Sequence, residues 1–73
     1  MGSTNEVIGL RVNSEPRELQ GGSTATDLLD LLGIEPRLVA VAINGMVVRR
    51  SDLRSTVLSD GDEVEIVRAV GGG

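Results

Sequence analysis

The chain has 73 residues, with 40% of them hydrophobic, a net charge of −4, and no cysteine, histidine or aromatic residue. All seven of its cations are arginine, so lysine is absent too. A domain this short buries only about 60% of the surface its unfolded chain exposes, which leaves no room for a second core or a deep cleft. The missing residue types exclude a thiol nucleophile, an imidazole base, a Schiff-base amine, a disulfide and a thiolate metal site. Single-strand nucleic-acid readers stack bases on aromatic rings above a basic groove, so a ring-free acidic chain points away from nucleic acid and towards a basic protein partner. The first residues, MGSTNEV, carry neither a basic start nor an apolar run. The longest uncharged hydrophobic stretch, Leu38 to Val48, is interrupted by Asn44-Gly45. No cleaved signal peptide, no membrane span and a cytoplasmic location are therefore expected.

Residues 5–12 alternate, with Ile8, Leu10 and Val12 on one face and Val7, Gly9 and Arg11 on the other, which predicts a strand. Asn13-Ser14 breaks the run, and Glu15 to Leu19 has the length of a second strand, with Pro16 acceptable only at an edge or a strand start. The two form a predicted hairpin. After Gly21-Gly22, either Ser23 or Thr24 offers an N-cap hydroxyl, Asp27 lies in the first turn, and Leu28, Leu29, Leu31 and Leu32 make an apolar helix face ended by Gly33. Pro36 cannot continue that helix. From Leu38 to Ile43 the β-branched and small residues predict a central strand, Asn44-Gly45 a two-residue turn, and Met46 to Arg49 the returning partner. Ser51-Asp52-Leu53-Arg54 reads as a capped single turn with Leu53 inward, and Asp60-Gly61 as a tight turn. Glu63 to Val70 is the last strand, with Val64 and Ile66 inward, and its Val and Ile content predicts a central position. The order strand, strand, helix, strand, strand, strand is α+β: a mixed sheet of about five strands with one helix on one face, the β-grasp arrangement. A folded unit over 1–70 and a flexible glycine tail over 71–73 are expected.

Side chains offer little chemistry. Gly21-Gly22-Ser23-Thr24 precedes a helix, but a phosphate loop needs a lysine, so a loop leading to an N-cap is the better reading. Asp60-Gly61-Asp62-Glu63 groups carboxylates without the later bidentate glutamate of a calcium loop, so a solvated turn is expected and no metal site. No hydroxyl has a histidine or lysine base, so no catalytic residue is expected. One reactive group remains, the α-carboxylate of Gly73, which is ionised at neutral pH. Gly71 and Gly72 lack Cβ atoms, so this tail can thread a channel too narrow for side chains and deliver the carboxylate to another protein's active site. A frayed or appended terminus gives the same sequence.

Several stretches resemble the ThiS family, the sulfur carriers of thiamin biosynthesis. They are Val12 to Leu19, Thr26 to Leu29, Val39 to Gly45, Val47 to Ser51, Asp60 to Val67 and the terminal Ala69-Val70-Gly71-Gly72-Gly73. The resemblance covers almost the whole chain and implies a ubiquitin-like β-grasp fold. It also implies a non-enzyme, with no bound cofactor, whose terminal glycine, here Gly73, is adenylated with ATP by a ubiquitin-activating-like enzyme of the ThiF type. Conversion to a thiocarboxylate with a sulfur donor such as a cysteine desulfurase, and sulfur delivery to a thiazole synthase of the ThiG type, follow from the same resemblance. Three positions depart from the family: Gly71 where Gln is common, Leu53 where Trp is frequent, and Ser14 where glycine is frequent. None removes the reactive terminus.

Docking is expected on the sheet face away from the helix, through Glu65, Val67, Ala40 and Ala42, with Arg68 close enough to the tail to steer it. Other functions remain open at this level. They are a carrier for molybdopterin or another sulfur-containing metabolite, a protein modifier that forms isopeptide bonds, and a β-grasp binding module with an incidental tail.

Overall fold

The computed structural model describes residues 6–68. Five strands, β1 (Val7–Val12), β2 (Glu15–Gln20), β3 (Val39–Ile43), β4 (Met46–Val48) and β5 (Glu63–Arg68), form one sheet in the order β2-β1-β5-β3-β4. β5 is central as expected, parallel to β1 and antiparallel to β3. One helix, α1 (Ala25–Leu32), packs beneath the sheet in a β-grasp arrangement.

Local chemistry explains each boundary. Asn13 and Ser14 both take positive φ, 51° and 72°, and close β1 and β2 as a two-residue hairpin with Val12 opposite Glu15. Pro16 sits on the edge strand β2, where its missing N–H interrupts no inner ladder. Thr24, rather than Ser23, caps α1. Its hydroxyl accepts from the Asp27 amide, and the Asp27 carboxylate accepts from the Thr24 amide, which satisfies two otherwise orphaned N–H groups. Ser23 turns back to the Gln20 carbonyl instead. At the other end Gly33 adopts φ 72°, a conformation that costs a residue with a Cβ, and its amide closes on the last carbonyls.

The helix face is narrower than expected. At about 100° per residue, Leu28, Leu32, Ala25 and Leu29 share one arc, and Leu31 falls outside it. Leu28, Leu29 and Ala25 are buried and Leu32 is packed against them, whereas Leu31 is 63% exposed. The sheet contributes Leu10, Val12, Leu19, Val41 and Val64 to the same core, and Leu53 and Leu58 close it from the connection between β4 and β5. Leu53 is the inward anchor of the 3-10 helix Arg50–Ser55, although Ser51 gives that helix no side-chain cap. A second 3-10 turn, Pro36–Leu38, uses the fixed φ of Pro36 to start and takes up Leu38, so the strand expected from Leu38 begins one residue later, at Val39. The amide of Ala25 donates to Thr56 and that of Leu58 to Ser23, so the helix start is tied to the strand-like segment before β5.

Candidate functional site

β5 is the element that leads towards the glycine tail, and its surroundings hold it rigidly. Its backbone pairs with β3 from Ile43–Val64 to Val39–Arg68. On the other side the β1 ladder reaches only Val12–Val64, and a side chain then takes over. Asn13 Oδ1 accepts from the Ile66 amide at 2.8 Å, and its Nδ2 donates to the Ile66 carbonyl at 3.2 Å. The other hairpin asparagine performs the matching task at the start of β5. Asn44 Oδ1 accepts from the Glu63 amide at 3.0 Å, its Nδ2 donates to Asp62 at 2.9 Å, and its own amide donates to the Glu63 carbonyl. The Asn44-Gly45 turn was legible from positive-φ tolerance; the side-chain clamps on β5 were not, because they depend on which strand lies alongside.

Strand alternation sorts the expected docking residues. Ala40 lies opposite Val67 and Ala42 opposite Glu65, so these four share the face away from α1, and Val47 joins them opposite Ala42. Val67 is 60% exposed and Val47 77%. The two alanines between them leave a low, apolar strip flanked by the Glu65 carboxylate. Arg68 does not belong to this strip. It pairs with Val39 in the column of Ile66 and Val64, on the helix side, where it borders a hollow lined also by Leu32, Ile34 and Asn13. The steering residue and the docking strip thus stand on opposite faces of the sheet. Gly71, Gly72 and Gly73, with Ala69 and Val70 of the expected last strand, lie outside the described residues.

The acidic turn before β5 uses its carboxylates within the fold. Asp60 Oδ1 accepts from the Gly9 amide at 2.7 Å, and Asp62 accepts from the Ser59 amide at 2.8 Å and from Asn44. The Asp60 bond docks the turn on β1, helped by the Gly61 amide donating to the Gly9 carbonyl, while Asp62 ties it to Ser59 and to the Asn44 turn. Among the described residues no cluster of acidic side chains is arranged to hold a metal ion, and no helix is long and apolar enough to cross a membrane.

A five-stranded mixed sheet wrapped over one helix, with a clamped central strand running out to a terminal glycine run, defines a ubiquitin-like β-grasp domain. The crystal structure of the thiamine biosynthesis protein ThiS from Geobacter metallireducens superposes with a TM-score of 0.79 and 33% identity, covering 90% of this chain and 100% of that one. The ThiS family matches residues 10–73, and the chain belongs to that family of sulfur carriers. A protein named sulfur carrier protein ThiS, from Thermus thermophilus, is 37% identical over 62 residues, 85% of this chain and 95% of the relative. A thiazole synthase of Magnetococcus marinus is 39% identical over 64 residues, 88% of this chain and 20% of the relative. The chain therefore spans about a fifth of the length of the thiazole synthases it matches.

Proposed function

We propose that the chain carries sulfur as a thiocarboxylate on Gly73 and donates it for assembly of the thiamin thiazole. The observation that carries this reading is the family match through residue 73, which takes in all three terminal glycines. The clamped β5 supports it, because a rigid central strand gives the tail a fixed point of departure.

A carboxylate is a poor electrophile. Attack of the Gly73 carboxylate on the α-phosphorus of ATP, bound by a ThiF-type partner, releases pyrophosphate and forms an acyl adenylate. A persulfide from a donor such as a cysteine desulfurase then attacks the carbonyl carbon and expels AMP. A second thiol cleaves the resulting S–S bond, forming a disulfide with the donor sulfur and leaving the thiocarboxylate on Gly73. The carrier supplies the tail and the docking surface while the partner performs the activation, so no side chain of the carrier needs to be catalytic. The open-face strip of Ala40, Ala42, Glu65 and Val67 is the surface assigned to that partner. The thiazole synthases that contain a similar segment support a ThiG-type acceptor.

Intact mass after incubation with ATP, the activating enzyme and a persulfide donor tests the reading. Replacement of one oxygen by sulfur is expected, and deletion of Gly73 should abolish it. Covalent attachment to lysines of other proteins, without that exchange, would favour a protein modifier instead.

A further inference from the structure

Four of the chain's seven arginines gather at one end of the sheet. β5 ends there at Arg68, opposite Val39 at the start of β3. β4 ends at the same side with Val48 opposite Val41, and continuing that register by one residue puts Arg49 level with Ala40 and Val67. The backbone of Arg49 is still extended, with φ −63° and ψ 147°, and Arg50 follows at the start of the 3-10 helix. The fourth, Arg37, precedes β3 and is already engaged by Glu35 at 3.0 Å. Arg49, Arg50 and Arg68 are exposed and enter no ion pair among the described residues. The opposite end of β5 carries Glu63, paired with Arg11 at 3.4 Å, and the carboxylates of Asp60 and Asp62 in the turn before it, so that end keeps an acidic excess in a chain whose net charge is −4.

We propose that Arg49, Arg50 and Arg68 form a cationic collar around the root of the tail, and that it docks on carboxylates lining the mouth of the partner's channel. The collar rests on the carrier reading, since it presumes a partner that receives the tail. Arg68 stands on the helix side of β5 and Arg49, two strands away in line with β4, on the side of the docking strip, so the two present positive charge on both faces of the sheet at the end where β5 finishes. Reach decides what they do. Gly73 is five residues beyond Arg68, about 17 Å of fully extended chain. An arginine side chain cannot bridge that span to the nucleotide phosphates when the tail is threaded, so the collar meets the channel's entrance and leaves the reaction centre to the partner. Rim charges of this kind set the encounter rate and its salt dependence more than the strength of the final complex. The acidic end of the sheet would be repelled by the same mouth, which makes the tail-first orientation the favoured one.

The test uses full-length carrier and its ThiF-type activating enzyme, with adenylation and thiocarboxylate formation followed at several ionic strengths. Arg49→Glu and Arg68→Glu are compared with Arg17→Glu, which makes the same charge change on β2, level with Leu10 and away from the collar. The collar variants should raise KM for the carrier about tenfold at low salt, leave kcat unchanged and flatten the salt dependence. Arg49→Lys should restore KM, and Arg17→Glu should behave like the wild type. Equal effects at Arg17 and Arg49, an unchanged KM, or a loss in kcat alone would overturn the collar while leaving the carrier reading in place. A wild-type chain that is never charged on Gly73 would overturn both. Circular dichroism of each variant separates these outcomes from misfolding, and a Glu variant that unfolds is replaced by Arg→Gln at the same position.

Discussion

Asn13 and Ile66, 53 residues apart, are paired by a side-chain amide that imitates a strand. The Asn13 amide makes the last backbone bond of the β1–β5 ladder, to the Val64 carbonyl at 2.8 Å, and the chain then turns into the first hairpin at φ 51°, so the backbone of β1 goes no further along β5. The carboxamide presents one acceptor and one donor at the same spacing as a peptide group, and both polar groups of Ile66 are satisfied. The parallel pairing of β1 and β5 is thereby extended towards the tail by a single residue.

Asn13→Gly keeps the positive φ and removes the amide, so it isolates the clamp from the turn. A loss of about 1 kcal/mol in urea denaturation is expected, with faster hydrogen exchange at the Ile66 amide. Asn13→Asp retains the acceptor and loses the donor, and should fall between Asn13→Gly and the wild type. Unchanged exchange at Ile66 in Asn13→Gly would show that the clamp does not hold β5.

The helix face makes a sharper contrast. Leu28→Ala should cost about 3 kcal/mol, because the side chain is fully buried and its removal leaves a cavity under the sheet. Leu31→Ala should change stability by less than about 0.5 kcal/mol. Equal unfolding midpoints for the two variants would contradict the observed orientation of α1.

Capping separates two hydroxyl residues that look alike in the sequence. Thr24→Ala removes half of a reciprocal cap and should destabilise by about 1 kcal/mol in thermal or urea unfolding. Ser51→Ala, at a 3-10 helix without a side-chain cap, should stay within about 0.5 kcal/mol of the wild type.

Val67→Arg tests the docking strip. The residue is exposed on the open face, so the variant should fold with wild-type stability and bind the activating enzyme more weakly by about an order of magnitude in a titration of complex formation. Wild-type affinity would move the interface off this face.

Much of this fold is legible because its signals are local. Alternation at Ile8, Leu10 and Val12, the Asn-Gly turn at 44–45, the hydroxyl before α1 and the glycine after it each report a backbone preference within a few residues. Ambiguity survives where a local signal has two equivalent readers. Ser23 and Thr24 both offer a hydroxyl, and only the geometry that lets Asp27 reach back selects Thr24. Leu31 looks like its leucine neighbours in composition, but the 100° helical turn sets it outside the arc of Ala25, Leu28, Leu29 and Leu32, and it is 63% exposed. The candidate site divides in the same way. The terminal glycines and the apolar Val67 stand in the sequence, but the separation of Arg68 from Val67 is a matter of strand alternation in a settled register.

By itself, the sequence determined that this chain has no histidine, lysine or cysteine, and so no imidazole base, Schiff-base amine or thiol nucleophile. It determined too that its elements run strand, strand, helix, then three strands, and that three residues without Cβ stand at positions 71–73. These follow from composition and from short-range backbone preference. The tertiary structure alone decided that the asparagines of two separate hairpins clamp β5, and that arginines from β5 and from the residues after β4 stand at one end of the sheet. Those relationships join residues far apart in the chain, and they exist only once parallel and antiparallel pairing has fixed which strands are neighbours and which residues stand level.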